Sequence, residues 1–206
     1  ISLESLSSSW YNMRIIVYMK KTVTVVVGGQ FGSEATKGKV VSFLSTEYDL
    51  GVRTGSPNAG HTVLHNGQEY RLQQIPATFP HTSCQLYIGA GALIDPEILR
   101  REIEVTQTHK RLFIDAQAGV ICSYHQAQEQ NLKKNIGSTG KGCGAALIDR
   151  IWRNGFRLAQ DDLSDLNIVN ASHTINQAID EGKRVLLEGT QGIGLSLYHG
   201  DYPFVT

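Results

Sequence analysis

Cysteine is scarce in this sequence, and its spacing excludes two kinds of protein. The 206 residues contain three cysteines, Cys84, Cys122 and Cys143, which are widely separated, odd in number and without a Cys-x-x-Cys pair. A disulfide framework needs paired thiols, and the common zinc sites need closely spaced ones. We therefore expect reduced thiols in a cytoplasmic protein and no zinc site.

Net charge and long apolar runs are also lacking. Nineteen Lys and Arg balance 19 Asp and Glu, so the formal net charge is zero. Duplex DNA as a partner calls for an excess of positive charge, so we expect no DNA binding, although a local basic pocket could still hold a nucleotide. No apolar run approaches the roughly 18 residues of a membrane span, so we expect no membrane partner.

Neither end of the sequence coincides with a predicted domain boundary. Residues 1–18 precede Met19, and their apolar piece, residues 15–18, is too short for a signal sequence and has no small-residue cleavage site. We interpret residues 1–18 as a non-native or disordered extension. Residues 19–206 are interpreted as the N-terminal part of one domain, because the sequence stops at "YPFVT", within a predicted loop.

Strands alternate with helices in the rest of the chain. Residues 22–27 form a continuous β-branched run, which predicts a fully buried parallel strand, and a helix is predicted over residues 39–48. Asn66-Gly67 predicts a hairpin turn between two alternating segments, and Pro96 predicts the first turn of a helix. This order predicts an α/β fold with a mostly parallel central sheet, flanking helices and functional loops at its C-terminal edge.

Glycine, unlike cysteine, is abundant, and it concentrates in four loops: residues 28–38, 55–60, 137–144 and 189–194. Glycine lets backbone N–H groups approach an anion closely, and a following helix N-terminus favours negative charge. One such loop is as well explained by a tight turn without a ligand. Four loops that also carry Ser, Thr, Asn, Gln or Lys favour a nucleotide site, with Lys37 as the candidate phosphate cation; its alternative is a solvated lysine.

Two further residues are candidates for chemistry. His61, in "NAGHTV", follows a glycine and enters a strand, so an acid/base role is weighed against a structural one. Arg153 could be an ordinary helix-surface arginine, or its planar fork could bind phosphate.

At this point the motifs resemble a known family. "GGQFGSE" with "KGK", "NAGHTV", "IGSTGKGCGAA" and "EGTQG" with "YPFVT" are similar to the consecutive signature segments of adenylosuccinate synthetase, in the same order and spacing. The resemblance extends from about residue 22 to residue 206 and is strongest toward the archaeal and bacteriophage branch. It implies a P-loop-like version of the α/β fold and a homodimer.

The family joins L-aspartate to C6 of a 6-oxopurine nucleotide through a 6-phosphoryl intermediate. By resemblance, His61 is the acid at O6, Lys37 holds phosphate, and Ser33 and Gly60 contact Mg²⁺. The resemblance assigns further residues to the phosphates of the nucleoside triphosphate: Gly32, Ser33, Glu34, Gly38, Lys39, Gly60, His61 and Thr62. It assigns others to the purine monophosphate, with Arg153 acting from the neighbouring subunit: Ser33, Asn58, Ser138, Thr139, Arg153, Gln191 and Thr206.

The first loop departs from the family pattern G-D-E-G-K-G-K. Ser33 stands where the family has its catalytic aspartate, and Ala35-Thr36 replaces one glycine, lengthening the loop by a residue. The serine resembles bacteriophage enzymes that use dGMP and make N6-succino-2-amino-2′-deoxyadenylate, the precursor of 2-aminoadenine DNA. The longer loop has no explanation in the sequence.

Three functions therefore remain open. The first is a dGMP-using ligase with ATP or dATP as donor, which is preferred and would work in a phage-infected host's cytoplasm; the second is an ordinary synthetase using IMP and GTP. The third is a non-catalytic nucleotide-binding relative. In the family the aspartate site lies beyond the equivalent of Thr206, so these 206 residues alone are not expected to turn over.

Overall fold

The computed structural model describes residues 15–19, 22–29 and 34–206, and a seven-stranded sheet forms its centre. None of the helices in this described part combines the length and apolar character of a membrane span. The strands, in chain order, are β1 (Ile15–Met19), β2 (Val23–Gly28), β3 (Leu50–Arg53), β4 (His61–His65), β5 (Gln68–Leu72), β6 (Gln85–Ile88), β7 (Leu93–Ile94), β8 (Leu112–Asp115), β9 (Gly119–Val120), β10 (Ile168–Val169) and β11 (Val185–Gly192). The helices are α1 (Glu34–Leu44), α2 (Pro96–Thr106), α3 (Ser123–Gln128), α4 (Gln130–Ile136), α5 (Cys143–Trp152), α6 (Ala159–Asp162) and α7 (Ala171–Asp180).

The strand order in the large sheet is β1-β2-β11-β3-β6-β8-β10. All its pairings are parallel except that of β1 with β2, so the expected mostly parallel α/β sheet is confirmed. The last strand, β11, lies between the first two parallel ones. The carboxyl ends of β2, β3 and β11 therefore lie side by side at one edge of the sheet.

Both faces of the sheet are covered, and successive residues of a strand supply opposite faces. Leu186 packs into the larger apolar cluster with Val41 of α1, whereas its neighbour Val185 packs into a second cluster with Ala171 of α7. Side chains alternate between faces along a strand, so the continuous apolar runs of the sequence reflect burial on both sides.

Three expectations are corrected here. Residues 15–18 were expected in a non-native or disordered extension. They form most of β1, an antiparallel edge strand on β2, so the disordered alternative is wrong for them, and the non-native alternative stays a prediction. Their apolar, largely β-branched composition suits a strand. Residues 1–14 lie outside the described residues. The strand expected to be fully buried, β2, has only Thr24 and Val26 buried. The helix expected over residues 39–48 is α1, which starts at Glu34 and ends at Leu44, followed by a 3₁₀ turn over Ser45–Glu47.

The local turn and cap predictions are confirmed. Asn66 and Gly67 both have positive φ, 52° and 77°, as the tight turn between β4 and β5 requires. The Asp95 side chain accepts hydrogen bonds from the N–H groups of Glu97 and Ile98, and Pro96 occupies the first turn of α2.

Candidate active site

A buried ionic cluster lies at the C-terminal edge of the sheet. Arg53 is the last residue of β3, Glu188 lies in the neighbouring β11, and His61 is the first residue of β4. Each of the three is about 1% exposed. Parallel pairing places Arg53 directly beside Glu188 in register, so the sheet itself brings a cation and an anion together.

The hydrogen bonds within this cluster are specific. Arg53 Nη1 donates to Glu188 Oε1 at 2.6 Å, and the same carboxylate oxygen contacts His61 Nδ1 at very short range. Glu188 Oε2 accepts from the Ala77 N–H at 2.7 Å, and Arg53 Nη2 donates to the Ala59 carbonyl at 2.7 Å. The carboxylate and the guanidinium are thus each fixed to backbone as well as to each other.

The charges in the cluster set the protonation of its members. Burial lowers the pKa of the His61 imidazole below its usual range, and although Glu188 opposes this, the positive charges of Arg53 and Lys37 act with burial. Burial by itself would raise the pKa of Glu188, but Arg53 and the contact with His61 outweigh it and hold that pKa low. Glu188 is therefore ionised and paired with Arg53, while His61 is neutral.

The other ring nitrogen of His61 is the atom left for chemistry. Nε2 is buried and has no hydrogen-bond partner among the described residues. A buried polar atom without a partner is uncommon in a native structure and points to a ligand or ordered water.

Lys37 and Gly38, in the first turns of α1, lie against this cluster. A Cβ built on Gly38 would lie 2.8 Å from the His61 Cβ and 2.9 Å from the Thr62 carbonyl oxygen, so only glycine lets α1 approach β4 so closely. Lys37 is 1% exposed, and a Cβ built on Gly28 would lie 3.2 Å from its Nζ. The solvated-lysine alternative for Lys37 is therefore wrong.

The remaining residues of the first loop are placed only in part. Lys39, expected near the triphosphate, has an exposed side chain on α1. Glu34 is the first residue of α1, at the helix N-terminus where anions are favoured. Gly60 is half-buried, directly before His61. Gly32 and Ser33 lie outside the described residues.

A cavity of about 500 Å³ opens beside the cluster and collects the residues expected to bind the purine monophosphate. Asn58 Nδ2 donates to Thr206 Oγ1 at 2.5 Å, and Gln191 Nε2 lies 3.5 Å from Asn58 Oδ1. Expected residues in its lining are Asn58, Ser138, Thr139, Gln191 and Thr206. Segments far apart in sequence thus form one pocket of a size suited to a nucleotide.

The loop of residues 137–144 on one wall of this cavity is held by Glu129. Its carboxylate accepts from the N–H groups of Gly142, Gly144 and Ala145 at 2.7, 2.7 and 3.2 Å. These N–H groups belong to the start of α5, so Glu129 neutralises the positive end of that helix.

Arg153 does not line the cavity. It ends α5 in a left-handed conformation, φ 57°, with an exposed side chain. Two large apolar side chains beside it, Ile151 and Trp152, are 73% and 75% exposed. Within one chain, the structure therefore does not bring Arg153 together with the other expected phosphate-binding residues.

Sequence reasoning missed Arg53, Glu188 and Glu129. For the first two a signal exists: each is a charged residue in an otherwise apolar strand segment, "GVR" and "VLLEG". A charge within a buried strand must be paired, and opposite charges in two such strands predict a pair. Glu129 lies in a polar helical segment and carries no comparable signal.

Metal and thiol chemistry have little protein support in the described part of the chain. That part contains no group of three or more His, Cys, Asp or Glu side chains able to hold a metal ion. The three cysteines are free, and burial raises the pKa of Cys84 to about 11 and of Cys143 to about 12, so neither is a thiolate at neutral pH.

Sequence comparison places the chain beside characterised relatives. The family profile described as adenylosuccinate synthetase matches residues 25–167 and 159–206. Adenylosuccinate synthetase of Methanococcus vannielii is 45% identical over 196 residues, which cover 90% of this chain and 57% of the relative. The enzyme of Methanocaldococcus jannaschii is 41% identical over 203 residues, covering 91% and 58%. The chain thus spans somewhat more than half the length of these relatives.

Two solved structures share the fold. Fully ligated adenylosuccinate synthetase from Plasmodium falciparum matches with a TM-score of 0.80 and 27% identity, covering 91% of this chain and 55% of that one. Cyanophage S-2L succinoaminodeoxyadenylate synthetase, bound to dGMP and to dATP as an energy donor, matches with a TM-score of 0.76 and 27% identity, covering 89% and 55%.

Proposed function

This chain belongs to the adenylosuccinate synthetase family, and from that premise we propose that it forms part of a carbon–nitrogen ligase joining L-aspartate to C6 of a 6-oxopurine nucleotide. The observation that carries the proposal is the buried His61, whose Nε2 has no partner among the described residues, beside Lys37 and next to the cavity lined by Asn58 and Gln191. An acid/base group, a phosphate cation and a nucleotide-sized cavity are the parts such a reaction needs.

Each residue of the proposed site has its own role in a two-step reaction. In the proposed first step the γ-phosphoryl group of a nucleoside triphosphate passes to O6 of the purine, which turns a poor leaving oxygen into a good one. Lys37 and the N-terminus of α1 stabilise the phosphoryl charge. His61 Nε2, which takes up a proton once the anionic substrates are bound, donates it at O6. In the second step the aspartate amine displaces phosphate from C6. Mg²⁺, when bound by phosphate oxygens with Ser33 and Gly60, would neutralise charge on the transferred group.

We propose dGMP as the purine substrate, because Ser33 replaces the family's aspartate. Guanine carries an amino group at C2, next to N1, where an aspartate would crowd it. A serine is smaller, and its hydroxyl can accept a hydrogen bond from that amine. The dGMP-bound cyanophage neighbour supports this substrate. IMP is the second candidate, favoured by the names of relatives that are 40 to 45% identical.

The test compares the two nucleotides in the longest gene product that contains this chain. With saturating Mg²⁺, aspartate and ATP, dGMP should be preferred over IMP or dIMP by at least about tenfold in kcat/KM, since a lost polar partner in a buried site costs about 1–3 kcal/mol. Ser33→Asp should erode that preference. Faster consumption of IMP would establish the ordinary synthetase instead.

For the phosphoryl donor we propose ATP or dATP, with GTP as the alternative. The support is the dATP in the cyanophage neighbour. Product formation measured with each triphosphate in turn decides the matter, and a clear preference for GTP would remove this part of the proposal.

We also propose a homodimer in which Arg153 binds the neighbouring subunit's nucleotide phosphate. The exposed Ile151 and Trp152 beside Arg153 support a covered surface there. Mixing His61→Ala protomers with Arg153→Ala protomers tests it. If Arg153 acts in trans, mixed dimers regain activity in one of their two sites, whereas no recovery in demonstrably mixed dimers contradicts the assignment.

The free buried thiols support a cytoplasmic location, including a host's cytoplasm if a phage encodes the chain. The non-catalytic alternative rests on Ser33 and on the Ala35-Thr36 extension of the first loop. It predicts that dGMP or IMP binds without any turnover under all the donor conditions above.

A further inference from the structure

We infer that Glu188 and Arg53 are positioning residues for His61: they hold its proton on Nδ1 and leave Nε2 as the reactive ring atom. The catalytic part of this inference rests on the proposed function, whereas the part that concerns the ring can be tested without any activity.

Glu188 Oε1 is the acceptor of both contacts that it makes with its neighbours. A guanidinium has only donors, so the 2.6 Å contact between Arg53 Nη1 and Glu188 Oε1 requires that oxygen to be an acceptor. The same oxygen contacts His61 Nδ1, and an ionised carboxylate can only accept there too. Nδ1 must therefore carry a hydrogen, and in the neutral ring Nε2 must then lack one.

The contact between His61 Nδ1 and Glu188 excludes the reverse arrangement, in which Arg53 would donate to Nδ1. Arg53 Nη1 lies 3.0 Å from His61 Nδ1, a contact that could be a hydrogen bond only if Nδ1 were unprotonated. In that state the lone pairs of Nδ1 and Glu188 Oε1 would face each other in a buried site, which is unfavourable. With the proton on Nδ1, both donors converge on one carboxylate oxygen and every charge is compensated.

The pair cannot easily turn away from His61. Glu188 Oε2 is tied to the Ala77 N–H, and Arg53 Nη2 is tied to the Ala59 carbonyl, two residues before His61. All three side chains are about 1% exposed. A histidine whose second nitrogen is fixed by a carboxylate keeps its ring orientation and its tautomer, as in many catalytic sites.

A purely structural ion pair would leave a different signature. Had His61 served only to fill space, both ring nitrogens would be expected to have partners. Instead, Nδ1 is held and Nε2 has no partner among the described residues, while α1 approaches the Cβ of His61 closely at Gly38. The geometry thus singles out one nitrogen for a ligand.

The direct test is the nitrogen spectrum of the histidine rings in the ¹⁵N-labelled protein. His61→Asn identifies the His61 signals by their loss. In the wild type, Nδ1 should give the protonated type of signal and Nε2 the unprotonated type at neutral pH. A wild-type ring protonated on Nε2 would overturn the inference, whether or not any variant folds.

Two variants then separate positioning from general structure. Glu188→Gln should convert His61 partly or wholly to the other tautomer, and Glu188→Asp, which restores the carboxylate, should return it toward the wild-type signal. Glu102→Gln is the matched control: Glu102 is another buried carboxylate, but it accepts from the N–H groups of Gln73, Gln74 and Ile75. An unchanged tautomer in Glu188→Gln, or an equal change in Glu102→Gln, contradicts the inference.

Kinetics of the longest gene product complete the test. Glu188→Gln should lower kcat by about 10- to 100-fold with little change in KM for either nucleotide, because the site still binds but Nε2 already carries the ring hydrogen and cannot take up a proton. A wild type with the expected tautomer but no turnover would reject the proposed function and leave the positioning role standing. Turnover with the Nε2-protonated tautomer would reject the positioning role and leave the function standing.

Discussion

Two buried histidine–carboxylate pairs lie in the described part of the chain, and they differ in whether the second ring nitrogen has a partner. His61 contacts Glu188 through Nδ1, and its Nε2 has no partner among the described residues. His125 Nε2 lies 3.2 Å from Asp149 Oδ2, and its Nδ1 accepts from the Cys122 N–H at 2.9 Å. Both rings are almost fully buried.

Pairing with a carboxylate therefore does not by itself mark a histidine as catalytic. His125 has both nitrogens occupied, so it ties α3 to α5 and has no atom to offer a substrate. His61 has one nitrogen held and one available at the edge of the sheet where loops converge. Burial and a carboxylate are common to both; the unsatisfied atom separates them.

Substitution of His61 should cause the greatest loss of turnover, and substitution of His125 should cause little. His61→Ala in the longest gene product should lower turnover by roughly 10²–10⁴-fold, as for loss of a general acid, and leave nucleotide binding largely intact. His125→Ala is the matched control and should leave kcat of the folded fraction little changed. Steady-state kinetics and nucleotide binding by calorimetry measure both; near-normal turnover of His61→Ala would assign that residue a structural role.

Removal of the carboxylates should separate the pairs by stability. Glu188→Ala leaves the guanidinium of Arg53 buried without its anion, and breaking such a pair costs about 3–5 kcal/mol. Asp149→Ala should cost less, because its partners, Tyr124 and His125, can both be neutral. Urea unfolding of the two variants gives the comparison. An Asp149 variant that loses as much stability as the Glu188 variant would show that the two carboxylates contribute equally to the free energy of unfolding.

His125 itself should matter for stability alone. His125→Ala removes the acceptor of the Cys122 N–H and one partner of Asp149, and a buried group left unsatisfied costs about 1–3 kcal/mol. Urea unfolding of this variant at neutral pH measures the loss. His173→Ala is a suitable control, since His173 is exposed on α7 and its imidazole has no hydrogen bond in the described part of the structure. Equal stability of both variants would contradict the structural role of His125.

The sequence predicted much of the fold because its signals are local. The continuous apolar runs predicted a parallel sheet buried on both faces, and Asn66-Gly67 predicted the hairpin turn. The insertion of β11 between β2 and β3 could not be predicted in this way, because the pairing joins residues far apart in the chain and no local pattern encodes it. The edge strand β1 was missed because four of its five residues, 15–18, were compared only with a signal sequence.

The site shows the same division between local and distant information. Lys37 and His61 were singled out as candidates from motifs that are contiguous in sequence, and the residues around the cavity from the family resemblance of such motifs. The partner that fixes His61 was not, because Glu188 lies 127 positions further along the chain and its role depends on strand order. Arg153 was predicted to bind phosphate, and within one chain it lies away from the other predicted residues; a second subunit is needed to test it.

The smallest expected effect concerns the alkaline stability of the His125 pair. The Tyr124 hydroxyl donates to Asp149 Oδ2 at 2.5 Å, and this bond to a carboxylate raises the pKa of Tyr124 to about 12. A tyrosine ionises near pH 10 in the unfolded chain, so its contribution to stability is fully present below about pH 10 and is lost as the pH rises toward about 12. The effect should be small, because Tyr124 is 42% exposed and solvent screens the interaction.

Tyr124→Phe isolates this contribution from the other groups that titrate in the same range. Between about pH 10 and about pH 12, the free energy of unfolding of the wild type should fall more steeply than that of Tyr124→Phe, because only the wild type loses the bond to Asp149. Tyr198→Phe is the matched control, since Tyr198 is 87% exposed, and its pH dependence should follow the wild type. Parallel curves for the wild type and Tyr124→Phe would mean that the bond to Asp149 contributes nothing to stability, and that His125 alone joins the two helices.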